Sequence, residues 1–585
     1  MTRTRSLTVV VACALALAAC SGSSSATTQK QSNNRPESNG GADAPASTAG
    51  TLNWTKCKTK AAAMAGLDCA TLEVPIDPKD PKGATTTIAL ARSASTGKAD
   101  ERIGSLVINP GGPGGSGIEF LSNAASMFPK DLTNRFDLVS FDPRGVGESD
   151  PVRCLDDHQK DEQLQRDLSP DDDAERAQLE ADQVTLRKGC ESRNPALITH
   201  MSTADVAADL DQVRQALGDQ KLNYLGYSYG TAIGATYAAM FPATIRAMVL
   251  DGSVSPSATA ADEAMAQAMG FEHTLKNFIA ACNADSSCAL APDTAAGIDA
   301  ARASLQKEPV KVTTSSGERT LTADLFDYGL ATALYDTSTW APTAQAIKNI
   351  RTSGAKTILS LVDRQTGRQT NGTYDNSSDA QVMVNCSDQQ DRPTEADARA
   401  ESAKIIAAAP TFGPILGSGL TGCNDWPTPS EPTPKPSAKG APPILVIGTV
   451  GDPATPYEWA QQMSAALTGS VLLTYEGDGH TAFLRGGKCI EDAVVNYFVD
   501  LTLPDPGTRC PAASAGDEFS GVKGQLIKQL VDSGVDEKTA NCIVDGMIKR
   551  VGESEFDDLV LQNDADQITK LAQATALECM TSGGG

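Results

Sequence analysis

Histidine is scarce. The 585 residues hold four, His158, His200, His273 and His480, so any imidazole chemistry must be built on one of them. Basic residues are in deficit: 49 Lys+Arg stand against 73 Asp+Glu, a formal net charge of −24. A surface so acidic argues against nucleic acid and anionic lipid headgroups as partners. No cysteine sits in a CxxC pair and no histidines stand at zinc spacing, so no metal and no cofactor is expected. Beyond the first residues there is no apolar run of the roughly 18 residues that a spanning helix needs. No internal repeat is visible. What is present is globular: 40% apolar and 21% charged residues exclude wholesale disorder, collagen and coiled coil. The length allows about three or four domains.

The N-terminus reads as an address. Arg3 and Arg5 precede an apolar stretch from Leu7 to Ala19, and Leu17-Ala18-Ala19-Cys20 places small residues before a cysteine. This pattern resembles a bacterial lipobox. Residues 1–19 are then a signal peptide, Cys20 the lipidated residue, and the protein is exported and held at the outer face of the cell membrane by lipid. Residues 20–50, rich in Ser, Ala, Gly and Asn, read as a flexible tether. Apart from Cys13 and Cys20, the cysteines form an even set: Cys57, Cys69, Cys154, Cys190, Cys282, Cys288, Cys386, Cys423, Cys489, Cys510, Cys542 and Cys579. An even set suits an oxidising compartment, and pairing of sequence neighbours is expected, because each such pair falls within one local segment.

From Leu52 onward the pattern is α/β. Short apolar runs at Ser105–Ile108, Phe136–Phe141, Leu222–Gly226, Ala247–Leu250, Pro443–Gly448 and Ser470–Tyr475 each run into Gly, Asp or Ser. Amphipathic stretches such as Thr203–Leu217, with Val206, Leu210, Val213 and Leu217 on one face, lie between them. This predicts a doubly wound, mostly parallel sheet. Residues 51–255 and 436–510 are assigned to that core. Residues 256–435, Ala-rich and closing on a Pro-rich stretch, are expected to form an inserted helical lid. Residues 515–585 are expected to form a small helical module.

Gly226-Tyr227-Ser228-Tyr229-Gly230 matches G-x-S-x-G, a weak signal alone. Its setting strengthens it: a strand precedes it and an Ala-rich helix follows, the strand–turn–helix that lifts a serine hydroxyl above a sheet. A serine nucleophile needs a base. His480, in Glu476-Gly-Asp-Gly-His480 just after the last apolar run, can reach across the sheet edge; the other histidines lack such a setting. The carboxylate is expected after the preceding strand, at Asp452 in Gly451-Asp-Pro-Ala-Thr-Pro456, with Asp478 as the alternative. The order Ser228, Asp452, His480 is that of α/β-hydrolases. Asn109-Pro-Gly-Gly-Pro-Gly-Gly-Ser-Gly117 supplies backbone N–H donors for an oxyanion, from Gly111 or Gly112, with Tyr229 as the second donor.

Together NPGGPGGSG, FDPRGVGESD, YLGYSYGT, GDPATP and GDGH resemble the proline-iminopeptidase and tripeptidyl-aminopeptidase family over about residues 50–510. The resemblance implies an α/β-hydrolase fold and a serine peptidase that cleaves peptides from a free N-terminus. A carboxylesterase of the same fold is the alternative. It implies Ser228 as nucleophile, His480 as base, Asp452 as orienting acid, and Gly112 and Tyr229 as oxyanion donors. Arg144 in Asp-Pro-Arg-Gly is assigned a structural role, and Thr455 is placed to hydrogen-bond the acid loop. An aminopeptidase also needs an anion for the substrate ammonium. Glu119 and Asp388 are the candidates, and Tyr335 and Trp340 are candidates for an apolar subsite.

Overall fold

The computed structural model describes residues 52–427, 432–512, 526–527, 530, 535–552, 556, 559 and 565–582. The segment Leu7–Ala19, Cys20 and the tether lie outside the described residues. No helix among the described residues is long and apolar enough to cross a membrane.

A ten-stranded sheet carries the chain. Its strands are β1 (Thr55–Lys56), β2 (Asp68–Pro75), β3 (Thr85–Ser93), β4 (Gly104–Asn109), β5 (Phe136–Phe141), β6 (Leu222–Tyr227), β7 (Ile245–Asp251), β10 (Leu445–Gly451), β11 (Val471–Asp478) and β12 (Arg509–Cys510). The order is β1-β2-β3-β5-β4-β6-β7-β10-β11-β12. Pairings among β1, β2, β3 and β5 are antiparallel, and every pairing from β5 to β12 is parallel.

Strands β4, β5 and β6 are buried at every residue, as parallel strands with helices on both faces must be. Alternation divides their side chains between two cores. Val107, Val139, Tyr224 and Val446 join one face; Leu106, Leu138, Leu225 and Leu445 join the other. The helix Thr203–Ala216 starts at a capping box between Ser202 and Asp205 and buries Val206, Leu210 and Val213, as its periodicity predicts.

Between β7 and β10 the chain builds a helical insertion with its own core, centred on Phe278, Phe326, Leu359 and Trp340. Trp340 stacks edge-on against Phe278 (5.5 Å) and is 1% exposed, so it is a core residue and lines no subsite. The insertion also holds a hairpin, β8 (Val310–Thr314) with β9 (Gly317–Leu321), where helix alone is expected. Its strands are half exposed and polar, so their sequence carries little apolar signal. Strands β1, β2 and β3 and the edge strand β12 are further additions to the predicted set.

Described residues of the C-terminal segment form a separate small core. Ile543, Val544 and Met547 of helix Glu537–Val551 meet Ile568, Ala572 and Ala576 of helix Ala565–Ser582. Among the described residues six disulfides form, all between sequence neighbours: Cys57–Cys69, Cys154–Cys190, Cys282–Cys288, Cys386–Cys423, Cys489–Cys510 and Cys542–Cys579.

Candidate active site

The site lies at the C-terminal edge of the sheet. Ser228 follows β6 with φ +53°, a left-handed conformation that a serine adopts only under constraint. Its N–H donates to the Asp251 carbonyl (2.9 Å), which fixes the turn, and helix Gly230–Met240 begins at once. Close packing enforces the neighbouring glycine loop. Gly111 has φ +92°, and a Cβ there would sit 2.5 Å from the Tyr227 carbonyl and 2.8 Å from Ser228 Cβ.

Asp452 and His480 come from the ends of β10 and β11, which pair in parallel. Both are buried, at 3% and 2% exposure. His480 Nδ1 donates to Asp452 Oδ1 (2.9 Å) and Oδ2 (3.0 Å). The carboxylate also accepts from Ala454 N (3.0 Å), Thr455 N (2.8 Å), Thr455 Oγ1 (2.9 Å) and Thr481 N (3.2 Å). With Nδ1 held by Asp452, Nε2 is the free ring nitrogen. Asp478, the alternative acid, turns elsewhere: its carboxylate accepts from Asn277 Nδ2 (2.6 Å) in the insertion.

Gly111 N–H is spent on Asn109 Oδ1 (2.9 Å). Among the described residues, neither Gly112 N–H nor Tyr229 N–H donates to a protein acceptor. Both residues line the cavity that holds Ser228 and His480. Two backbone donors beside a serine can hold a developing oxyanion.

That cavity measures about 1460 Å³ and is walled on one side by the insertion. Tyr335 packs edge-on against the His480 ring (5.5 Å), and its carbonyl accepts the His480 N–H (2.9 Å). Gln267 Nε2 donates to the Ala454 carbonyl (2.9 Å). The insertion therefore grips both the acid loop and the base loop.

Acids gather in the same cavity. Glu119 lies on its rim in the first turn of helix Gly117–Ala124. Asp388 is spent largely on the protein: it accepts from Thr203 N (3.0 Å), Thr203 Oγ1 (2.5 Å) and Thr433 Oγ1 (2.6 Å). Thr203 Oγ1 in turn pairs with the Tyr229 hydroxyl (2.7 Å), so Asp388 braces the residue whose N–H faces the cavity. Burial raises the Asp388 carboxyl from its ordinary value, against these hydrogen bonds. Sequence reasoning missed Glu263, which opens onto the cavity beside Asp388 and Asp391. Glu263 is itself exposed, yet the protein around it pushes its carboxyl up to about 7, first by partial loss of solvation, then by Asp391, Asp388 and Asp262. The Asp262-Glu263 pair reads as ordinary first-turn acid, and Asp262 does close the capping box with Thr259. Glu263, one position on, points to another side. Arg144 has the structural role expected of it: it is fully buried and bound to Asp209 by two 2.7 Å bonds.

A left-handed serine turn after the sixth strand, an aspartate and a histidine on successive later strands and a helical insertion over the sheet edge define the class. The chain belongs to the α/β-hydrolase family, whose fold pattern matches residues 104–486. Serine protease Hip1 of Mycobacterium tuberculosis is 36% identical over 480 residues, covering 78% of this chain and 91% of that protein. Carboxylesterase B of the same organism is 35% identical over 472 residues, covering 78% and 89%. Tripeptidyl aminopeptidase of Streptomyces lividans is 30% identical over 475 residues, covering 78% and 86%.

Proposed function

We propose that this protein is a serine peptidase that cleaves short peptides from a free N-terminus through an acyl-enzyme. The observation that carries the reading is the buried His480, held through Nδ1 by Asp452 in the cavity that contains the strained Ser228. Ser228 Oγ attacks the scissile carbonyl and its proton passes to His480 Nε2. Gly112 and Tyr229 N–H hold the oxyanion. His480 returns the proton to the leaving amine, and water then releases the acyl group by the same path. A cavity of about 1460 Å³ exceeds what a single amino acid needs and accommodates an oligopeptide. Its acidic wall, with Glu263 foremost and Glu119 at the rim, suits a substrate ammonium. A relative named carboxylesterase B keeps ester hydrolysis as the second reading.

The test is turnover of a free-amine tripeptide anilide, its N-acetyl twin and a short acyl ester, with Ser228→Ala as blank. Turnover of the free-amine peptide alone supports the reading. Equal or better turnover of the twin and the ester leaves a serine hydrolase that is no aminopeptidase.

Glu263 gives a pH signature. Its carboxyl loses charge as pH falls through about 7, and a neutral carboxyl cannot pair with an ammonium. KM for free-amine peptides is therefore expected to rise as pH drops from 8 to 6, and Glu263→Gln to hold KM high and level over that window. A Glu263→Gln variant with wild-type KM at pH 8 removes Glu263 from the ammonium site.

Export and anchoring through Cys20 follow from the lipobox-like sequence and accord with the even cysteine set. Detergent phase partition tests them: Cys20→Ser should move the enzyme from the detergent phase to the aqueous phase, and an unchanged partition sinks the anchor.

A further inference from the structure

We propose that Asp251 is a positioning residue that ties the loop carrying His480 to the turn carrying Ser228. The inference rests on reading Ser228, His480 and Asp452 as the catalytic unit.

Asp251 is the last residue of β7, the strand between the nucleophile strand and the acid strand. It registers with Tyr227 of β6 on one side and Ile447 of β10 on the other. Its two polar halves serve different partners. The main-chain carbonyl accepts the Ser228 N–H (2.9 Å). The carboxylate accepts the Ala482 N–H through both oxygens (3.0 Å each) and the Phe483 N–H through Oδ2 (2.7 Å). One residue thus contacts the backbone of both reacting loops.

The base loop needs such a hold. Thr481 and Leu484 adopt φ +68° and +72°, which disfavour residues with a Cβ. After His480, three successive N–H groups point at two carboxylates: Thr481 at Asp452, and Ala482 and Phe483 at Asp251. Asp452 fixes the ring and Asp251 fixes the backbone that carries the ring. Phe483 then buries its side chain against Phe128 (6.0 Å), which seats the loop but does not set its register with Ser228.

Asp251 is a costly residue to keep. It is 0% exposed, and among the described residues its carboxylate bonds only backbone N–H groups, with no lysine or arginine. Burial pushes its carboxyl up to about 7, offset by the Phe483 and Ala482 N–H groups and by His480, and reinforced by Asp452. A core apolar residue would fill the strand end without that penalty. The carboxylate matches a pair of converging N–H donors that no apolar side chain satisfies.

The experiment replaces Asp251 with asparagine and normalises rates to sites labelled by a fluorophosphonate, so unfolded protein does not count. Asparagine keeps the shape but turns an N–H₂ toward one of the loop donors. The expected result is kcat per labelled site lower by on the order of 10²-fold, because misplacement of about 1 Å costs that much. KM should stay within about threefold, since the peptide-binding wall is untouched. Wild-type kcat per labelled site, or a loss confined to the labelled fraction, overturns the proposal. Should the variant not accumulate, hydrogen exchange on the wild type decides: amides of 481–484 should exchange as slowly as those of β7, and rapid exchange there with β7 protected overturns it. Ser228→Ala separates the two readings. If it stays active the catalytic unit itself is wrong; if it is dead while Asp251→Asn is fully active, this inference alone fails.

Discussion

Asp452→Asn should lower kcat by about 10⁴-fold and leave KM within about threefold. The argument is one of tautomers. Serine attack needs a bare Nε2, so the ring proton must sit on Nδ1, where Asp452 accepts it at 2.9 and 3.0 Å. The amide of asparagine has one acceptor. Ala454 N–H and Thr455 N–H converge on Oδ1, so the amide oxygen settles there, 2.9 Å from His480 Nδ1, and the N–H₂ takes the Oδ2 place, 3.0 Å from Nδ1 and 3.2 Å from Thr481 N–H. Nδ1 can then donate to the oxygen or accept from the N–H₂, and every ring that accepts carries its proton on Nε2, where it blocks the base. Asp478→Asn is the control, with kcat expected within about twofold, since that carboxylate serves Asn277. Rates per fluorophosphonate-labelled site check both. If Asp452→Asn kept a tenth of its activity, or Asp478→Asn lost as much as Asp452→Asn, the acid would have been misplaced.

Much of this site can be read from the sequence, because its parts fall where a parallel sheet ends. Each strand that ends in Gly, Ser or Asp marks a turn at the carboxyl edge, so Ser228, Asp452 and His480 share one rim. Local patterns also gave the helix Thr203–Ala216 and the pairing of sequence-neighbour cysteines. What is not legible depends on partners distant in sequence. Asp388 reads as a free carboxylate until Thr203 and Thr433 are seen to close on it. Trp340 reads as a lid aromatic until Phe278 is found against it. Asp251 reads as a strand-ending acid, and nothing near it in sequence announces the amides of residues 482 and 483. The hairpin β8–β9 is polar and half exposed, and its weak alternation is outweighed by the Ala-rich helices around it.

Arg144→Met should cost about 3–5 kcal/mol of stability. The guanidinium is 0% exposed and donates to Asp209 by two 2.7 Å bonds, and to the carbonyls of Ile76 (2.7 Å), His200 (3.0 Å) and Pro75 (3.1 Å). Methionine fills the volume but leaves the 2%-exposed Asp209 and those carbonyls without their donor. Adding Asp209→Leu removes the stranded charge and should recover much of the loss, because the penalty belongs to the unpaired partner more than to the broken pair. Asp209 sits on the helix that begins at Thr203, and Thr203 braces both Tyr229 and Asp388. Loosening that helix should therefore raise KM at temperatures where the variant is still folded. Urea titration of the single and double variants, with KM measured well below the transition, checks both parts. Equal stability of Arg144→Met and wild type would mean that water reaches Asp209; a double variant no better than the single would mean that the carbonyl contacts, not the ion pair, carry the energy.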